Sequence, residues 1–327
     1  MRQWKKIEFK LHYILSKIGV PVAYVYIFAA SSGLFFLWQT GSNNKYILSF
    51  LLVFSIVIIL YARFIEPRWL NVYRIKIPVS EAVLNKPITV ALIADLHASH
   101  YKKSDWIRRI VKEVLANKPD LILIAGDLIN NHFPVDTEVD YLDPLRELTH
   151  LPIYYVLGNH DYGTARPQVY FFDDRSEEVV NKMKALGIPL LKNNLVEIVI
   201  AGEKITIFGC DDLWSRPIDY SALDTGDTKT PLLFVTHNPD TVMAWPTHIP
   251  KPLFTFSGHS HGGQFALFGF PLGSATMQLG RKYYRGVHSY HGLSFYVSPG
   301  LGESTIPFRF GVRPELSFIT LTPKTAD

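Results

Sequence analysis

Ala91-Leu92-Ile93-Ala94-Asp95-Leu96-His97 is an apolar run that stops at a carboxylate and, two residues on, an imidazole. Residues i and i+2 of an extended chain share a face, so Asp95 and His97 can reach one point together. Taken alone, the triplet also fits a solvated strand end. The same grammar recurs four more times, however. Apolar stretches end in Gly126-Asp127, in Gly158-Asn159-His160-Asp161, in Thr236-His237-Asn238 and in Ser257-Gly258-His259-Ser260-His261.

Amphipathic stretches separate these runs. Residues 104–117 predict a helix with Ser104 as its N-cap and Ile107, Ile110, Val111, Val114 and Leu115 on one face. Further helices are predicted near 138–148 and over 176–186, where Gly187 is the stop, and short strands at 196–200, 205–208, 295–297 and 318–321. Strands alternating with helices predict a layered α/β fold with a largely parallel central sheet. No fixed-period repeat is present, which argues against a solenoid. In open α/β sheets ligands gather at strand C-termini, and all five polar triplets fall there.

With 48% hydrophobic residues in 327, the chain can fill a sizeable core. Its net charge of +4 is accounted for by residues 1–17, where Arg2, Lys5, Lys6, Lys10 and Lys17 oppose Glu8. The rest is charge-balanced, so the composition gives no nucleic-acid surface. The single cysteine, Cys210, excludes an internal disulfide framework and a zinc-thiolate cage.

Two uncharged apolar segments, 18–38 and 46–62, have lengths that span a bilayer. The turn-rich connector 39–45 makes them a transmembrane helical hairpin, with Pro21 tolerated as a first-turn residue or mild kink. Residues 1–74 thus read as a membrane anchor and 75–327 as the soluble domain. Cations flank both outer ends, with Arg63, Arg68, Arg74 and Lys76 after the second segment and only Lys45 in the connector. That distribution puts the body on the cytoplasmic side. A second segment lying in the interface would put it on the opposite side.

The strand ends together offer Asp95, His97, Asp127, Asn159, His160, His237, His259 and His261, oxygen and nitrogen donors without a thiolate. Two cations about 3.5 to 4 Å apart need a shared anion between them, and Asp127 is the natural bridge. Asp95, His97 and one imidazole of the 258–261 segment would complete one site. Asn159, His237 and the other imidazole would complete the second. Such donors suit two ions of Mn, Fe, Zn, Co or Ni, with Mn the first expectation, better than Mg or Ca.

The five blocks, in this order, resemble the calcineurin-like metallophosphoesterase superfamily over about 88–321. That resemblance implies a four-layer αββα sandwich and a dinuclear centre. It places Asp95, His97, Asp127 and His261 on one metal, and Asp127, Asn159, His237 and His259 on the other. A hydroxide generated between two such metals would attack phosphorus in line, with His160 placed to protonate the leaving oxygen or to stabilise the charge developing around phosphorus, and Asp161 placed to fix the His160 tautomer. Asn130 stands where the family often has a second Asp in a supporting position.

The 258–264, 209–214 and 300–315 blocks resemble a membrane-associated bacterial branch. It includes general phosphodiesterases and the UDP-2,3-diacylglucosamine pyrophosphatases of lipid A synthesis. The transmembrane hairpin favours a lipid-linked phosphoester substrate and a cytoplasmic body also fits a nucleotide-linked one; the resemblance implies a bacterial inner-membrane location and, as the most specific expectation, release of UMP and 2,3-diacylglucosamine 1-phosphate. Pro299 stands where many relatives have Arg, so phosphate must find another cation. Arg281, Lys282 and Arg285, in the aromatic segment 265–290, are the candidates. That segment also fits an ordinary hairpin with aromatic cross-strand packing. Residues 162–172 read either as a lid or as a packed loop. A broad-specificity phosphodiesterase and a non-catalytic binding scaffold are the competing functions; no ligand position is missing, which disfavours the scaffold.

Overall fold

The computed structural model describes residues 2–39, 44–80, 84–131, 138–170, 172–224, 230–272 and 277–324, with side chains at 2–20, 80 and 324 left aside. The cationic side chains at 2–17, most of the 39–45 connector, and residues 171 and 273–276 of the two ambiguous segments lie outside the described residues.

Helix α1 runs Arg2–Gln39 and α2 runs Lys45–Leu60. The basic stub is therefore helical, and Pro21 lies well inside α1, not in its first turn. Phe28, Phe36, Ile47 and Phe50 are exposed, leaving large apolar side chains without protein cover. Stretches of 19 and 24 residues here are long and apolar enough to cross a membrane. Beyond Leu60 the coil changes, to a π turn over Tyr61–Ile65 and a 3₁₀ turn over Glu66–Arg68.

This turn docks onto the soluble body. The Arg309 N–H donates to the Ala62 carbonyl at 2.9 Å, the Gly311 N–H to Glu66 Oε2 at 2.9 Å, and buried Lys102 Nζ to the Pro67 carbonyl. Strand β1 (Asn71–Ser80) follows, starting four residues before the predicted boundary, and pairs in parallel with the C-terminal strand 244 residues away in sequence.

The first sheet contains β2 (Ile88–Ile93), β3 (Leu121–Ala125) and β4 (Ile153–Val156). A small hairpin, β5 (Thr164–Arg166) and β6 (Val169–Tyr170), follows. The second sheet is built by β7 (Asn194–Ile200), β8 (Glu203–Gly209), β9 (Leu232–Val235) and β10 (Phe254–Ser257). After the hairpin β11 (Ala266–Leu267) and β12 (Phe270–Pro271), β13 (Gly286–Tyr290) and β14 (Leu293–Val297) complete it. Strand β15 (Glu315–Lys324) returns to the first sheet. The orders are β1-β15-β2-β3-β4 and β13-β14-β10-β9-β8-β7. The single, largely parallel sheet read from strand alternation is thus two sheets, each parallel at its centre and antiparallel where β15 or a hairpin joins.

The unbroken hydrophobicity of β2 follows from burial on both faces. Ala91 and Ile93 face the helical layer, whereas Val90 and Leu92 face the second sheet. Helix α3 (Ser104–Asn117) covers the first sheet with Trp106, Ile107, Ile110, Val111 and Val114. Its N-cap is Lys103 in extended backbone, which moves Ser104 into the first helical position. The 3₁₀ run Val139–Leu148, which contains Pro144, and α4 (Ser176–Leu186) complete that layer. On the far side, Phe208 and Phe234 pack under α5 (Ser221–Asp224), and Phe295 and Val297 pack with Val242 of the 3₁₀ turn Pro239–Ala244. The result is the four-layer αββα sandwich.

Candidate metal centre

The C-terminal ends of β2, β3, β4, β9 and β10 meet above the seam between the two sheets. Asp95, His97, Asp127 and His261 form one compact group, with one ligand atom from each lying within 4.8 Å of the others. His97 Nε2 is 3.0 Å from His261 Nε2 and 3.4 Å from Asp127 Oδ2, and His261 Nε2 is 3.5 Å from Asp95 Oδ1. A second group shares the same carboxylate oxygen. His237 Nε2 lies 3.3 Å from Asp127 Oδ2 and 3.0 Å from Asn159 Oδ1, and His259 Nδ1 is 3.0 Å from Asn159 Oδ1. Spacing alone left His259 and His261 interchangeable; the fold puts His261 with Asp95 and His259 with Asn159.

The donor chemistry tests whether these groups fit metals. His237 Nδ1 spends its proton on the Ala125 carbonyl at 2.9 Å, so in the neutral ring Nε2 carries a lone pair. Asn159 donates its amide N–H to the Thr164 carbonyl at 2.6 Å, which turns Oδ1 inward. Nε2, Oδ1 and the Asp127 carboxylate then point acceptors at one another, an arrangement that a proton on Nε2 or a bound metal cation satisfies. Burial disfavours charge on the His237 imidazole, yet Asp127, Asp95 and Asp212 around it push its pKa up to about 10, a sign of strong cation attraction. The residues fit two divalent ions.

Two glycines make room. A Cβ at Gly158 would meet Asp127 Oδ1 at 2.2 Å, and one at Gly258 would meet Asp95 Oδ2 at 2.4 Å. Each of these two carboxylates thus packs directly against backbone supplied by a neighbouring motif.

His160 sits edge-on to His97, ring centroids 4.6 Å apart, and is nearly buried. Its Nδ1 donates to the Asn130 carbonyl at 2.6 Å and Nε2 meets Ser304 Oγ at 3.2 Å. Asp161 does not fix the tautomer, which corrects the sequence expectation. Its carboxylate instead accepts the N–H groups of Leu128, Ile129 and Gly158 at 3.0, 3.2 and 2.9 Å, binding the Asp127 turn to the Asn159 turn. The departure at Asn130 is also explained: its carbonyl orients His160, and its side-chain amide donates to the Glu303 carbonyl at 2.7 Å, which a carboxylate could not do.

Several supports escaped sequence reading. Asp212 caps the turn at Trp214 and Ser215, and Trp214 packs edge-on against His259 at 4.3 Å. The base of the 162–172 segment is packed, since Thr164 holds Asn159 and Tyr162 donates to Asp211 at 2.6 Å. Within 265–290, Tyr283 packs on Phe295 as a hairpin aromatic should, whereas Phe268 is 92% and Phe270 75% exposed. Arg281 and Lys282 are exposed on the 3₁₀ turn Arg281–Tyr283, and Arg285 lies against Gly262 beside the His261 loop. Of the three cations, Arg285 alone is placed next to a metal-site loop by these contacts. Buried Arg309 sits at the former Arg-to-Pro departure, donating to the Pro299 carbonyl at 3.0 Å.

Residues 88–263, which hold every proposed metal ligand, match the family of calcineurin-like phosphoesterases. The chain is 28% identical over 250 residues to an uncharacterized metallophosphoesterase of Helicobacter pylori, covering 74% of this chain. It spans 61% of that relative's length. It is 30% identical to the uncharacterized metallophosphoesterase YkuE of Bacillus subtilis, over 80% of this chain and 88% of that protein. It is 26% identical to phosphodiesterase YaeI of Escherichia coli, over 80% of this chain and 92% of that protein.

Proposed function

Because the chain belongs to the calcineurin-like phosphoesterase family, we propose that it is a metal-dependent hydrolase of a phosphodiester or pyrophosphate bond carried by a membrane-borne molecule. The observation that carries this reading is the convergence of two donor groups on Asp127 Oδ2 with His160 beside them. Two bound divalent cations, Mn in the first instance, would polarise the ester and lower the pKa of water toward neutrality. The chain's own residues then do the rest. Asp127 holds the two donor groups in one register. His160, its Nδ1 proton committed to the Asn130 carbonyl, gives up or holds a proton at Nε2, the atom from which the leaving oxygen is protonated.

The membrane-borne substrate is supported by the two apolar helices and by the hairpin tip, where Leu267, Phe268, Phe270 and Leu272 are exposed. That tip adjoins the exit of α2, since Ala266 donates to the Phe310 carbonyl and Phe310 packs on Tyr61. Arg285, with Arg281 and Lys282, would meet the substrate's phosphates. The cation distribution along the chain favours the cytoplasmic side of a bacterial inner membrane.

The narrower candidate substrate is UDP-2,3-diacylglucosamine; the likeness to a relative named phosphodiesterase favours broader specificity as the second reading. The full-length protein loaded with Mn should be given UDP-2,3-diacylglucosamine and bis-p-nitrophenyl phosphate side by side. Release of UMP supports the lipid A step. Cleavage of only the chromogenic diester removes it, and cleavage of neither removes the hydrolase reading.

A further inference from the structure

Where α2 ends, the chain closes over a cavity of about 390 Å³ between the 61–68 turn, the 100–109 segment and Glu303. Its wall is strongly cationic. Arg63, Arg68, Lys103 and Arg109 have no carboxylate partner among the described residues, while the two acids on the wall are already engaged: Asp105 with Arg108 at 2.7 Å and Glu303 with Lys102 at 3.2 Å. Arg63 is the decisive residue. It is 8% exposed, its guanidinium lies 4.5 Å from the Tyr101 ring centroid, and its Nε has no hydrogen-bond partner. A buried guanidinium left so is costly unless an anion completes it. The local field agrees: burial, Lys103 and Arg63 all hold the His100 imidazole below its usual range.

We propose that this cavity binds the phosphate headgroup of an anionic membrane lipid. The ligand class follows from position and chemistry. Arg63 is the first charged residue after the apolar run of α2, so the cavity opens at headgroup depth, where phosphate is the abundant anion. Arginine forks match phosphate oxygens in pairs. The site goes beyond hydrolysis and holds whichever ester is cut, resting only on the reading of α2 as a spanning helix. It is joined to the centre through Glu303, whose carbonyl accepts from Asn130, the residue that orients His160.

The test uses full-length protein in detergent, stripped of lipid, and native mass spectrometry with dioctanoyl phosphatidylglycerol, dioctanoyl phosphatidylcholine and inorganic phosphate as separate probes. One phosphatidylglycerol should bind per chain, at least about tenfold more tightly than either other probe, and Arg63→Met should weaken it about tenfold. The double variant Lys103→Gln/Arg109→Gln, at exposed positions and checked for an unchanged circular-dichroism spectrum, should also weaken it severalfold. Unchanged phosphatidylglycerol binding in that double variant, or inorganic phosphate binding as tightly as the lipid, overturns the proposal.

Discussion

The backbone N–H of His160 donates to Oδ1 of Asp127 at 2.8 Å, which leaves Oδ2 of that carboxylate facing His97 at 3.4 Å and His237 at 3.3 Å. One hydrogen bond thereby assigns the two oxygens of Asp127 different tasks. In Asp127→Asn the same N–H holds the amide oxygen at Oδ1 and turns the NH₂ toward the imidazoles. Both metals lose their shared anion. Metal analysis should fall from two ions per chain to less than one, with turnover down at least about a hundredfold.

His160→Gln separates protonation from metal binding. The side chain lies beside His97 without belonging to either donor group, so metal content should stay at the wild-type value while kcat drops about 10²- to 10⁴-fold. Loss of metal together with activity would instead make His160 a structural residue of the cluster.

Asp161→Asn distinguishes a turn-binding carboxylate from a partner of His160. An amide cannot accept on both sides, so one of the N–H groups of Leu128, Ile129 and Gly158 loses its acceptor. Unfolding free energy should fall by about 3 kcal/mol, while the pH profile of kcat keeps its position. A displaced profile at unchanged stability would restore the orienting role.

Lys102 gives a pH dependence of stability. Burial, only partly offset by Glu303, lowers its pKa to about 8 from 10.5. Between those values the unfolded chain binds more protons than the folded one, so stability rises with pH from about 8 to 10.5, by on the order of 3 kcal/mol. Below pH 8 the full penalty is present. Lys102→Met should abolish this rise, as read by denaturation of the full chain in detergent across that range.

Much of the centre was legible in the sequence because strand ends and metal donors are both local signals. Asp-x-His after an all-apolar run states that a doubly buried strand stops at a polar cluster, and β2 and β3 alternate between the helical layer and the second sheet as that reading requires. The apolar helices were equally plain, since length and absence of charge are properties of a segment alone. Strand β1 escaped because Arg74 and Lys76 interrupt it and its partner is the other end of the chain.

What the tertiary structure alone decided is which atom of each residue does the work. Asp95, His97, Asp127, His259 and His261 all adopt left-handed backbone, with φ between 44° and 71°, a conformation to which Asp and His are more prone than most side chains but which local sequence does not fix. The division of His259 and His261 between the two groups, the use of the Asn130 carbonyl in place of Asp161 to orient His160, and the Arg63 Nε left without a hydrogen-bond partner just beyond α2 are likewise products of distant chain segments meeting. Sequence determines the identity of the donors because chemistry is carried by residue type. Their pairing depends on distances across the fold, and those exist only once the two sheets have packed.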